Sequence, residues 1–157
     1  PDFMIIIYLT FEIFGSAISL WLIRGMKKNN WGRIINMTSV SVKEPLAYLA
    51  LSNTIRSAVT SWGKTLSIES GKNNITVNNI LTGFFNTKRL NQLNSEKAKK
   101  FNIKIEDVFD KMSEMVPLKR IGEPEEFGYL VAFLSSEFAN YINGANIPID
   151  GGLLKSM

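Results

Sequence analysis

Apolar positions along this chain recur with two different periods, and the alternation between them sketches a fold. Leu49, Leu51, Ile55, Val59, Trp62 and Leu66 fall near helical spacing, which predicts one long helix over 46–69. The stretch 16–28 also reads as a helix. It ends in Asn29-Asn30 and Gly32, residues that tolerate a left-handed turn at a helix terminus. Between these helices, Arg33-Ile34-Ile35-Asn36-Met37 is a short apolar run and a candidate buried strand, followed by a loop over 38–45. Residues 71–74 stop the second helix, and 75–81 form a second strand. The region 82–117 differs: Gly83 leads into polar and basic residues and then two amphipathic stretches, 88–101 and 105–115. A long excursion between a strand and the next core helix is where a binding lid usually sits. A helix over 124–135 opens with a proline and acidic residues in its first turn. Asn146-Ile147-Pro148-Ile149 is a last short strand.

The resulting order is α-β-α-β-(lid)-α-β. Alternating helices and short buried strands imply an α/β fold, a parallel sheet covered by helices on both faces. Three strands with two long apolar helices leave a sheet edge and much apolar surface uncovered. The chain is therefore expected to be the second half of a larger domain, or to have that surface covered by a partner.

The amino end adds a competing picture. Residues 3–23 carry one charge, Glu12, and Arg24, Lys27 and Lys28 follow. About 20 apolar residues with a basic flank would suit a bilayer. The alternative is a short strand or loop over 3–7 and then a helix buried on most sides, and the rest of the chain favours it. With no basic segment before the apolar run, a signal peptide is not expected.

Composition narrows the chemistry. The chain contains neither cysteine nor histidine, which excludes disulfides, thiolate nucleophiles and His-based triads and argues against a metal site. Absent cysteine fits a cytoplasmic setting. A net charge of +4 from scattered lysines and arginines, with no aromatic-interleaved basic stripe, argues against a nucleic-acid partner.

Several segments, in order, resemble the short-chain dehydrogenase/reductase family, nearest to its 3-oxoacyl-acyl-carrier-protein reductase-like members. Gly32 to Ser39 (GRIINMTS) is similar to the strand leading into that family's serine. Asn74 to Asn78, followed by Thr82-Gly83-Phe84-Phe85-Asn86-Thr87, resembles its strand and cofactor loop. Pro117 to Glu126, Phe133 to Ser136, Tyr141 to Gly144 and Asp150-Gly151-Gly152 match its tail, so the likeness runs from about residue 16 to 152.

The resemblance implies the C-terminal part of a doubly wound, Rossmann-type domain in three αβα layers. Residues 1–157 form one portion of that domain, with a substrate lid at about 84–116. It also implies a small-molecule substrate and NAD or NADP as cofactor. The glycine-rich phosphate loop belongs to the first half of the fold and is not in this sequence. A homodimer or homotetramer is expected through the long helices, with Trp21, Leu22 and Trp62 suited to the interface.

In this family a tyrosine exchanges the proton, a lysine four residues later supplies charge and holds the ribose, and a serine steadies the substrate oxygen. An asparagine on the preceding helix completes the relay. Ser39 stands at the serine position, Ser52 at the tyrosine position and Arg56 at the lysine position; the asparagine position falls near Phe11. A serine hydroxyl is a far poorer acid than a phenol, and an arginine does not readily release a proton. Arg56 could keep a positive charge beside a ribose or phosphate, or be a surface residue. Tyr48, Ser52 and Arg56 are spaced i, i+4, i+8. If the helix already runs at Tyr48 they share a face, and Tyr48 would serve as a displaced acid relaying through Ser52 or shape the pocket wall near Pro45. Thr82, Gly83, Phe85 and Thr87 are the cofactor-loop candidates: glycine for close backbone approach, Thr87 for a hydroxyl to the nicotinamide carboxamide. Phe84, Phe85 and Leu90 would line the substrate pocket. Two functions remain open: an atypical oxidoreductase reducing a 3-oxoacyl-type carbonyl, and an inactive member acting as a binding or scaffold subunit.

Overall fold

The computed structural model describes residues 4–7 and 12–156, with side chains from residue 21 onward. Among the described residues, four strands form one wholly parallel sheet in chain order: β1 (Met4–Ile7), β2 (Gly32–Ser39), β3 (Ile75–Thr82) and β4 (Asn146–Ile149). Five helices connect them: α1 (Glu12–Asn29), α2 (Ala50–Ser70), α3 (Lys88–Phe101), α4 (Ile105–Met115) and α5 (Pro124–Ser135).

Three strands were counted in the apolar pattern, with a short strand or loop over 3–7 as the favoured alternative to a membrane span, and the structure makes that segment a strand. Met4-Ile5-Ile6-Ile7 pairs in register with Arg33 to Asn36, because three consecutive β-branched side chains favour extended backbone. This strand interrupts the long apolar run at the amino end. No described helix is long and apolar enough to cross a membrane.

Alternation along the strands divides the core into two faces. Ile34, Ile75 and Val77 turn toward α1 and α2, where Ile23, Met26 and Leu66 meet them. Ile35 and Ile80 turn the other way, onto Val131, Leu134 and Ala139 around α5. This period-two division produces the three-layer αβα sandwich. At the base of the sheet the buried guanidinium of Arg33 donates to the Gly32 and Asn74 carbonyls and to the Asn140 side chain.

The position of α2 depends on a polar seam. Asn36 and Asn79, both fully buried on adjacent strands, are joined by an amide hydrogen bond of 2.8 Å, and Asn79 donates onward to Asn146 at 2.7 Å. Gly63 of α2 lies directly over this pair; a Cβ there would come within 2.6 Å of both side chains. The helix can approach the sheet only because that residue has no side chain.

Helix α2 starts later than its apolar periodicity predicts. Tyr48 has φ +65° and Leu49 is the N-cap, so the helix begins at Ala50. Leu46, Leu49 and Leu51 fit the helical period yet are exposed, so the period at this end reflects no packed face.

Candidate active site

The carboxyl ends of β2 and β3 lie side by side, with Ser39 opposite Thr82. In open parallel sheets this edge is where ligands bind. Three elements meet there on one acceptor, the main-chain oxygen of Thr38. Arg56 of α2 donates to it through Nη1 at 2.9 Å, and Thr82 of β3 donates to it through Oγ1 at 2.9 Å. Arg56 also donates through Nε to the Ser52 hydroxyl oxygen at 3.2 Å. One guanidinium thus joins Ser52, one turn earlier on its helix, to the end of β2.

Ser39, next in the chain, caps the 3-10 turn Val40–Val42, and its Oγ accepts from the Ser41 N–H at 3.1 Å. In both serines the oxygen is engaged as an acceptor and the hydroxyl proton remains available for donation. The turn after Ser39 is braced from the far end of the chain. Glu44 accepts from the main-chain N–H groups of Lys155 and Ser156 at 2.9 and 2.8 Å, and these bonds hold its carboxyl below the usual carboxylate range.

The segment after β3 is tied down equally well. Gly83 donates to Ile149 at 3.0 Å, continuing the ladder to β4. A Cβ at Gly83 would approach the Asp150 Cα to 2.8 Å, so this glycine also permits a close approach to the C-terminal turn. Phe84 and Asn86 exchange main-chain bonds with Gly122, and Phe85 packs edge-on to Phe127 with ring centres 6.3 Å apart. Thr87 caps α3, accepting from the Leu90 N–H at 3.2 Å, with its hydroxyl proton free.

Between α3 and the start of α5, this segment borders an open cavity of about 300 Å³. Phe84, Phe85, Leu90, Leu93, Met37, Pro124 and Phe127 give it an apolar wall, Thr82, Gly83 and Thr87 adjoin it, and among the described residues Arg89 is the one charged residue that lines it. The structure brings Ser39, Ser52, Arg56, Thr82, Gly83, Phe85 and Thr87 to one edge. It does not bring Tyr48 to them. A left-handed turn ahead of α2 leaves its ring fully in solvent, so Tyr48 shares no helical face with Ser52 and Arg56. The roles expected for it as displaced acid or pocket wall are corrected. Phe11, at the expected asparagine position, lies outside the described residues.

Sequence reasoning passed over Thr38, Met37, Arg89 and Phe127. Thr38 acts through a main-chain atom, which no side-chain motif reveals. The others would have emerged from asking which residues flank the carboxyl ends of adjacent strands.

A parallel αβα sheet with this edge defines a nucleotide-binding type of α/β domain, and the comparisons specify which one. The chain belongs to the short-chain dehydrogenase/reductase family: the family described as Enoyl-(Acyl carrier protein) reductase matches residues 16–154. The NADPH-dependent reductase BacG of Bacillus subtilis is 39% identical over 132 residues, covering 84% of this chain and 51% of that protein. The 3-oxoacyl-(acyl-carrier-protein) reductase FabG of Pseudomonas aeruginosa is 31% identical over 139 residues, 88% of this chain and 52% of its own. L-sorbose reductase from Gluconobacter frateurii, solved with NADPH and L-sorbose, superposes with a TM-score of 0.88 at 30% identity, covering 94% of this chain and 57% of that one. The chain spans about half the length of the curated relatives it matches.

Proposed function

We propose that this chain carries the substrate-side half of an NADPH-dependent short-chain oxidoreductase that reduces the carbonyl of a moderately apolar, 3-oxoacyl-type compound. The observation that carries the reading is the Arg56 side chain, bonded at once to the Ser52 hydroxyl and to the Thr38 carbonyl beside Ser39. It sets two hydroxyl donors and a cation at the edge where this fold binds ligands. The names of the relatives support a reductase and, among nicotinamides, favour NADPH.

The residues fit a nicotinamide. The Thr87 hydroxyl can donate to its carboxamide, and Phe84 and Phe85 present apolar walls to a ring. When bound, the reduced cofactor supplies the hydride. The chain's own residues do the rest. Ser39 and Ser52 donate hydrogen bonds to the substrate oxygen, polarising the carbonyl. The Arg56 charge stabilises the negative charge that develops on that oxygen, the largest contribution such preorganised donors make. Ser52 then passes a proton from solvent to the product oxygen, since a serine holds its own proton too tightly to be the ultimate acid.

Ser52 in the tyrosine position favours a second reading, a binding or scaffold subunit that holds cofactor without turning it over. We also place a self-association surface on α1 and α2. Trp21 is 70% exposed there, accompanied by Leu51 and Ile68, whereas Trp62 packs largely on its own core.

The test is NADPH consumption by the full-length protein with a panel of 3-oxoacyl esters. The reductase reading expects turnover on at least one. NADPH binding with no turnover on any of them would overturn it in favour of the binding subunit.

A further inference from the structure

The turn that follows Ser39 is a small structure with a demanding task. Val40–Val42 form a single 3-10 turn, and the Lys43 and Glu44 N–H groups both return to the Val40 carbonyl, at 3.0 and 3.1 Å. Short 3-10 turns have poor hydrogen-bond geometry and hold their shape weakly alone. Ser39 caps this turn, so the aim of its hydroxyl depends on the turn staying closed. An outside anchor is needed.

Glu44 provides one. Its Oε1 accepts from the main-chain N–H groups of both Lys155 and Ser156. Hydrogen bonds to an ionised acceptor are about twice as strong as neutral ones, and among the described residues Glu44 forms no salt bridge that would compete. The segment it grips is itself tied down. Asp150 spends its two carboxylate oxygens on the Gly152 and Leu154 N–H groups at 2.9 and 2.8 Å, and the Gly151 carbonyl takes the Leu118 N–H at 3.2 Å. At its near end, Ile149 receives the Gly83 N–H at 3.0 Å. Residues 149–156 therefore run as a strap from the segment after β3 to the turn after β2. Since Ser39 and Thr82 already lie opposite each other at the strand ends, the strap completes a closed circuit of bonds around them.

Resting on the reductase reading above, we propose that Glu44 is a positioning residue: by holding the strap of residues 149–156 it fixes the Ser39 turn, and with it the hydroxyl that meets the substrate oxygen. Glu44 itself touches neither substrate nor cofactor. Its effect falls on the reduction step, where a misplacement of about 1 Å can cost a hundredfold. The cofactor segment is spared, because Gly83 keeps its bond to Ile149 whether or not the far end of the strap is held.

The experiment uses the full-length protein with NADPH and ethyl 3-oxohexanoate, comparing wild type with E44A, E44Q and S156P. E44A is expected to lower kcat by about ten- to a hundredfold, with the KM for NADPH and the melting temperature near those of wild type. E44Q, which keeps an acceptor oxygen without its charge, should recover part of the loss. S156P removes one of the two donors and should lower kcat less than E44A, with little further effect when the two are combined. A wild-type kcat in E44A overturns the proposal. So does a fall in kcat matched by a rise in the KM for NADPH, or losses that simply add in the double variant. Amide hydrogen exchange reads the strap without turnover: E44A should speed exchange at Lys43, Lys155 and Ser156 and leave Gly83 unchanged. A wild type that reduces no 3-oxo ester yet shows that exchange pattern would sink the reductase reading and keep the strap. Turnover with exchange indifferent to E44A would sink the strap alone.

Discussion

The main-chain oxygen of Thr38 receives Arg56 from one side and Thr82 from the other, and most of the expected chemistry follows from that meeting point. Removing the guanidinium should therefore cost activity more than stability. Arg56→Met in the full-length protein should lower kcat/KM by about a hundredfold or more, as deletion of a preorganised donor does, with a melting temperature near that of wild type. An unchanged kcat/KM would remove Arg56 from the site. A gain-of-function variant is more informative. Restoring the family's pair with Ser52→Tyr and Arg56→Lys together should raise kcat by at least about tenfold, since a general acid with a suitable pKa contributes about 10²–10⁴. No gain would mean that proton delivery does not limit the proposed reaction. Ser39, Ser52 and Arg56 could be named as candidates from the sequence because their spacings survive even where the residue types change, and the bonds of Arg56 bring Ser52 to the end of β2 beside Ser39. Tyr48 misled because a single positive φ ahead of α2 is not visible in a period of apolar residues.

Helices are placed in this molecule by a few contacts whose failure can be measured. Gly63 lets α2 settle on the Asn36–Asn79 pair, where an added methyl would have no room. Gly63→Ala should lower the melting temperature by several degrees, because overpacking a core typically costs about 1–3 kcal/mol. It should also reduce activity, since α2 carries Arg56. A stable, fully active variant would show that the seam does not set the helix. At the start of α5, Arg120 grips Glu126, which also accepts from the Glu123 N–H at 2.8 Å. The Arg120 bonds first, and then that N–H, draw the Glu126 carboxyl from its usual 4.5 down to about 2. A depressed acid contributes its stability above the unfolded value and loses it as pH falls toward the folded one. The melting-temperature gap between wild type and Glu126→Gln should thus hold steady down to about pH 4.5 and narrow from there toward pH 2. It should be small and salt-sensitive, as exposed pairs are. A gap independent of pH would contradict this account. Boundaries of α3, α4, α5 and β4 followed from their caps and breakers. The start of α2 did not, because exposed leucines mimic a packed face.

At the scale of the molecule, large apolar side chains remain exposed after the sandwich is assembled, Trp21 on α1 and Leu51 and Ile68 on α2. If these surfaces join copies of the chain, Trp21→Glu should lower the sedimenting mass of the full-length protein while leaving its circular dichroism unchanged. A monomeric wild type would exclude that surface. The αβα class was readable from alternating periods alone, and the family from ordered motifs. The number of strands was only partly readable, because residues 3–7 allowed either a strand or a loop until Met4 to Ile7 finds β2 as a partner.

The central claim is that the edge bounded by Ser39, Arg56 and Thr87 serves hydride transfer to a carbonyl. It is tested most directly by incubating the full-length protein with a 3-oxo substrate and NADPH deuterated at its transferable position, then locating the label. The account predicts deuterium on the new carbinol carbon of the product, and its near disappearance with Arg56→Met. NADPH consumed with no deuterium in the product, or label transfer indifferent to Arg56, would contradict it.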